Sequence, residues 1–359
     1  MSLDNHSTLL LEPYEKARNL YLDWCSDING ATPIEFGTVK SPGLSDLDLG
    51  IVFSNDIDIK ELSGVLSKKM KSFPSLVKET MNGGTLMLFP ESSFYNILYA
   101  DDVNINAFDS RLKMVLISES EEQFVCMAQV IEWLPERIAK IYLELNSNQK
   151  NTKRLIGFYY SLCYSLLKVI RFYGESFRIN EFIDNVYLLR DTWQHLDEYE
   201  RESKLKWLEF NYVFVCKEAI LIFNEANSSF FNLPDLILNK NYKYNLYSNV
   251  NLVSNISDSF DDIVRFEGGM LNIYVPPIFL ANYYIYASYN SSLGKIIKNR
   301  SDICNEEQSL FDGCIYPEML SILYIRIKMF SDFYSFVDEL GLGTGLYKFG
   351  WYLNDKKTV

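Results

Sequence analysis

The chain lacks several features that would narrow its class at once. None of its six cysteines (Cys25, Cys126, Cys163, Cys216, Cys304 and Cys314) forms a C-x-x-C pair, which removes the usual zinc and redox signatures. Cys25, Cys126, Cys163 and Cys216 fall in apolar helical patterns and read as small core residues. Cys304 and Cys314, in a stretch containing Gly and Asp, are not read as a disulfide or metal pair. Positive charge is in deficit: 34 Lys and Arg face 47 Asp and Glu, a net charge of −13. Such a chain repels DNA, RNA and anionic lipid, so long nucleic acid is disfavoured as a partner. A metal-chelated nucleotide is different, because the metal brings the positive charge with it. Residues 1–12 show no basic segment followed by an apolar run, so no signal peptide is read there. The most apolar window, 155–170, is interrupted by Lys168 and is expected to be too short to span a bilayer. Internal repeats and low-complexity linkers are missing as well. These absences predict a reduced, soluble, cytoplasmic protein without membrane contact.

What is present is apolar material in quantity. Of 359 residues, 48% are hydrophobic, enough for a real core and too long a chain for most single cores. Residues 13–28 carry Tyr14, Ala17, Leu20, Tyr21 and Trp24 at helical spacing, ended by Gly30 and Pro33. A short strand over 34–36 runs into Gly37, and a second covers 47–53. Residues 58–81 read as helix broken near Pro74, with Asp58 leading in as an N-cap. β-like pieces follow at 85–89, 95–99 and 103–108. A small α/β domain is therefore expected over 1–117. From 118 the pattern turns helical: Ser118-x-x-Glu121 and Ser120-x-x-Gln123 are capping-box matches opening a helix to about Leu145. Helices over 152–174, 177–193, 205–224 and 317–340 are expected, with a hairpin in the region 242–276 turning at Gly268-Gly269. The fold class is α+β: a small mixed sheet with flanking helices, then a larger, mainly helical domain over 118–359.

One stretch concentrates chemistry: Phe36-Gly37-Thr38-Val39-Lys40-Ser41-Pro42-Gly43-Leu44-Ser45-Asp46-Leu47-Asp48-Leu49. Gly37 closes a strand and lets the backbone approach a ligand closely. Thr38 offers a hydroxyl, and its N–H can face a phosphate. Asp46 and Asp48 alternate along a strand, so both carboxylates emerge on one face. Two adjacent carboxylates repel, and a divalent cation between them makes sense of the pairing.

This stretch resembles the signature of the DNA polymerase beta-like nucleotidyltransferase superfamily, in which a Gly-Ser turn and a spacer precede Ser-Asp-x-Asp at a strand. The resemblance covers roughly 10–117 and departs at Thr38, which keeps the hydroxyl of the usual Ser and adds a methyl. It implies a mixed-sheet nucleotidyltransferase domain that transfers a nucleoside monophosphate from a nucleoside triphosphate, chelated by Mg²⁺ or Mn²⁺, to a small-molecule or protein acceptor. Gly37 and Thr38 would hold the triphosphate, with Lys40, Ser41 and Ser45 around it. Asp46 and Asp48 would bind metal. The family's third carboxylate, which acts as the base, falls by alignment on Asn106, with Asn104 beside it. Asparagine coordinates through a carbonyl but takes no proton. Asp102, with Asp101 next to it, is the candidate replacement, and Glu91 a further one. Two readings stay open: a metal-dependent nucleotidyltransferase with Asp46, Asp48 and Asp102 as catalytic carboxylates, and a nucleotide-binding or interaction protein that keeps the fold without transfer.

Other features read as structure. Lys153, Arg154, Lys168 and Arg171 recur at near-helical spacing as a solvated helix face, with acceptor or phosphate contacts as the alternative. His195 reads as a helix-end histidine. Tyr159, Cys163, Leu166 and Ile170 read as core packing. The glycine-rich run that begins at Gly341 follows a helix and reads as its stop.

Overall fold

The computed structural model describes residues 3–36, 39, 41, 44–45, 47–71, 86–94, 105–107, 118–228, 231, 241–247, 249–254, 263–300 and 315–341, with backbone alone at 3–10, 36, 105–107 and 292. The class is α+β, predominantly helical with two small mixed sheets. Two compact units divide at Ile117 and Ser118, and the first also takes residues 325–354.

In the first unit, helix α1 spans Leu3–Cys25. It begins well before the expected position 13, with Pro13 inside it; a proline forfeits one backbone donor and kinks a helix without forbidding it. The sheet has the order β3-β2-β1-β4. Strands β1 (Ala31–Phe36) and β2 (Asp48–Phe53) pair antiparallel from Ala31↔Phe53 to Phe36↔Asp48. The register brings the two ends of the intervening loop together. Helix α2 (Ile59–Lys69) then carries the chain to β3 (Leu86–Pro90), parallel to β2. As expected, Asp58 is its N-cap, accepting from the Lys60 and Glu61 amides. The expected helix beyond position 71 and the strand at 95–99 lie outside the described residues. Strand β4 (Ile105–Ala107) pairs antiparallel with β1, at the opposite edge from β3. Leu49, Ile51, Phe53, Leu86, Leu88 and Phe89 are fully buried. Phe336 and Phe333, from the C-terminal part of the last helix, make tilted ring contacts with Phe53 and Phe89 at 5.8 and 5.2 Å between ring centres.

The second unit opens with α3 (Glu119–Leu145), whose Ser118 and Glu121 form a reciprocal capping box; Ser120 lies inside the helix. Helices α4 (Thr152–Phe172), α5 (Phe177–Thr192) and α6 (Glu198–Asn227) follow as antiparallel neighbours joined by short loops. Tyr159, Cys163 and Leu166 are buried as core, with ring contacts from Tyr159 to Phe182 and Tyr212. Helix α4 is 21 residues long and, by length and composition, apolar enough to cross a membrane. That corrects the expectation from the apolar window alone, because the helix continues beyond the window at both ends. An 18-residue window of the helix is 44% buried inside the protein, and the core helix of a soluble protein passes the same test of length and composition. Cys25, Cys126, Cys163 and Cys216 are buried thiols outside any disulfide.

The region 242–276 holds more than a hairpin. Strands β5 (Lys243–Tyr247), β6 (Val250–Ser254), β7 (Val264–Glu267) and β8 (Met270–Val275) form a sheet of order β5-β6-β8-β7. Gly268 and Gly269, at φ +59° and +83°, make the tight β7–β8 turn. An amide ladder crosses the sheet, as Asn245 donates to Asn251 (3.3 Å), Asn251 to Asn272 (3.1 Å) and Asn272 to Glu267 (3.4 Å). Helices α7 (Ala281–Ser288) and α8 (Ser292–Lys298) follow, and α9 (Pro317–Glu339) ends at Gly341, φ +60°, a left-handed helix stop.

Candidate functional site

The candidate site lies at the mouth of the β1–β2 loop. Gly37, Thr38, Lys40 and Asp46 lie outside the described residues, as do Asp101, Asp102 and Asn104. Phe36, the last residue of β1, pairs with Asp48, the first of β2. The Asp48 side chain is exposed at that end of the strand, while the next five residues are buried.

The described part of the loop is compact. The Ser45 and Leu44 amides both donate to the Ser41 carbonyl, at 2.8 and 3.0 Å, which closes a single helical turn. The Ser41 amide donates back to Ser45 Oγ at 3.0 Å. Ser41, Leu44, Ser45 and Leu47 are buried. Ser45 thereby spends its hydroxyl as an acceptor within the turn, rather than presenting it wholly to a ligand.

Helix α1 braces this turn and both strands from one of its faces. Tyr14, Arg18 and Tyr21 recur at i, i+4 and i+7. Tyr14 donates to the Ser45 carbonyl at 2.9 Å. Arg18 forks onto both oxygens of Glu35, at 2.6 and 2.7 Å, and Glu35 is 2% exposed on the central strand. That partnership raises the pKa of Arg18 further. Tyr21 donates to the Gly50 carbonyl, two residues beyond Asp48. Burial pushes the Tyr21 phenol well above its ordinary value, so it stays a donor at any working pH. Sequence patterning assigned Tyr14 and Tyr21 to the core by hydrophobicity; their hydroxyl roles and the Arg18–Glu35 pair carry no motif and were not legible.

The candidates for the third carboxylate fare differently. Asn106 pairs in register with Glu35, which pairs with Leu49; Asp48 pairs with Phe36, which pairs with Ile105. Strand residues alternate between faces, so position 106 belongs to the opposite face from Asp48. The cause is topological, since β4 joins the sheet at β1 in that register. Glu91 follows Pro90, and β3 runs parallel to β2 from Leu49↔Leu86 to Phe53↔Pro90. Pro90 is five strand rises from the level of Asp48, about 17 Å along the sheet, and Glu91 opens the helical turn that follows it, which removes it as a metal-bridging partner. Among the described residues, no group of three or more His, Cys, Asp or Glu is placed to hold a metal ion.

The basic stripe on α4 is largely spent on structure. Arg154 pairs with the buried Glu144 of α3, and Arg171 forks onto Glu122 at 2.7 and 2.9 Å. Both tie α4 to α3. His195 is exposed in the turn after α5, its amide bonded to the Thr192 carbonyl.

Compared with known proteins, the chain matches no family model, no curated protein and no solved structure.

Proposed function

We propose that the β1–β2 loop is a metal-nucleotide site and that the protein transfers a nucleoside monophosphate from a Mg²⁺- or Mn²⁺-chelated nucleoside triphosphate to a small-molecule or protein acceptor. The observation that carries this reading is the Phe36↔Asp48 pairing. It draws a glycine-led loop into a closed hairpin and leaves an exposed carboxylate at its mouth, in a mixed sheet consistent with a polymerase-beta-like nucleotidyltransferase domain. Asp48 offers hard oxygen donors, and Asp46 lies two residues before it. Mg²⁺ commonly takes one or two carboxylates plus substrate phosphates, so this donor set fits a cation that arrives with the nucleotide. The metal would supply charge neutralisation; Gly37 and Thr38 would receive the phosphates, with Lys40 beside them, and Asp102 would serve as the third acid. The excess of acid over base favours a chelated nucleotide over long nucleic acid. Buried thiols outside any disulfide fit a reducing, cytoplasmic setting.

A second reading is favoured by a specific observation. The position that the resemblance gives to the base is Asn106, which takes no proton and belongs to the opposite face from Asp48. The same site would then bind nucleotide without turning it over.

The four nucleoside triphosphates, each with Mg²⁺ or Mn²⁺, should be screened for thermal stabilisation and pyrophosphate release. Stabilisation by at least one, lost in both Asp46→Asn and Asp48→Asn, is expected. Pyrophosphate release that needs the Asp pair and Asp102 establishes transfer; binding without release establishes the second reading. No stabilisation by any nucleotide refutes both.

A further inference from the structure

Helix α6 carries apolar side chains on two faces. The inner face buries Leu208, Val215, Cys216, Ile220 and Phe223 within its unit. The outer face exposes Phe210 (70%), Phe214 (48%) and Leu221 (40%), with the Phe210 and Phe214 rings in contact at 5.6 Å. In a solvated helix the outer face is normally polar, so these side chains call for a partner.

The pattern along that face identifies one. Its stripe reads Lys206, Phe210, Phe214, Lys217, Leu221 and Glu225, at spacings of four, four, three, four and four. The spacing is palindromic, which is what a helix needs to meet a second copy of itself antiparallel across a two-fold axis. About an axis between Val215 and Cys216, Lys206 meets Glu225 of the other copy. Phe210 meets Leu221, and Phe214 meets Lys217 with an ammonium over an aromatic ring. Every opposed pair is complementary, and each occurs twice by symmetry. At 100° per residue all six positions fall within one stripe of the helix. Lys206, 72% exposed, already takes part in an ion pair with Glu202, but such an exposed contact exchanges at little cost.

We propose that α6 is a homodimerisation surface, pairing antiparallel with α6 of a second copy. Its strength follows from area. An aromatic side chain carries about 200 Å², so the exposed parts of Phe210, Phe214 and Leu221 amount to on the order of 300 Å² per chain. A standard interface buries about 800 Å² per partner. The dimer is therefore weak and concentration-dependent.

Sedimentation velocity of the full chain over about 1 to 200 μM spans the range where such an association appears. The wild type should move from one chain toward two as concentration rises. Phe210→Glu/Phe214→Glu should stay monomeric throughout, with an unchanged thermal melt because both residues are exposed. Lys206→Glu and Glu225→Lys should each raise Kd by about tenfold or more, since each sets two like-charge pairs face to face. The doubly swapped variant should restore association, and an equimolar mixture of the two single variants should form heterodimers. A wild type monomeric across the range overturns the proposal. So does a dimer insensitive to the Phe substitutions, or a double swap that fails to restore association.

Discussion

Arg18→Met should destabilise the first unit by about 3 kcal/mol, and the reason lies in what it leaves behind. Glu35 is 2% exposed on β1, which has a neighbour strand on each side, and both of its carboxylate oxygens are taken by the Arg18 fork. Removing one member of a buried pair strands the other charge in low dielectric, at a cost of about 3–5 kcal/mol. Arg18 keeps 24% of its side chain exposed, so water reaches part of the pair and the lower end applies. Replacing both partners by apolar groups removes the penalty with the pair. Arg18→Met/Glu35→Leu should thus lie within about 1 kcal/mol of wild type, a coupling of at least about 2 kcal/mol. Urea unfolding followed by far-UV circular dichroism, on all four members of the cycle, measures it. A loss below about 1 kcal/mol for Arg18→Met, or a double variant no better than the single, would refute the claim that this pair anchors α1 to the sheet.

Three smaller perturbations test other parts of the structure. Tyr14→Phe removes the hydroxyl donated to the Ser45 carbonyl and should cost about 1 kcal/mol in urea midpoint analysis; unaltered stability would mean the brace on the loop is not energetically used. Ser176 caps α5 through the Ile179 amide and donates to Glu218 at 2.5 Å, so Ser176→Ala should lose about 1–2 kcal/mol, with Ser176→Asn recovering most of it. Burial raises the Cys25 thiol from 9.0 to about 12. The native state then keeps a proton that the unfolded chain releases above pH 9. Stability from this group is full below that pH and falls as pH rises toward 12, and native-state maleimide labelling at Cys25 should be far slower than in urea. Rapid native labelling would show that the site opens.

Much of the helical half was written locally. Ser118 and Glu121 cap α3, Asp58 caps α2, Gly341 stops α9, and Gly268-Gly269 turn the β7–β8 pair, because each acts through bonds to its own near neighbours. The strands β5 and β6 were harder to read. Asn245, Asn251 and Asn272 look like loop residues in sequence and become strand residues by bonding to one another across the sheet. The helix start at Leu3 was hidden because Pro13 reads as a beginning rather than an interior residue.

The sequence alone determined the loop chemistry: a glycine after a strand, hydroxyls, and two aspartates two residues apart, whose alternation is a property of any extended chain. It also put in question the third acid that the resemblance implies. Tertiary structure alone decided where the described candidates fall. Glu91, close in the chain's pattern, falls at the far end of a parallel strand, and position 106 belongs to the opposite face because β4 joins at β1. Strand order and register arise from long-range pairing, and no local periodicity encodes which edge of a sheet a strand will join.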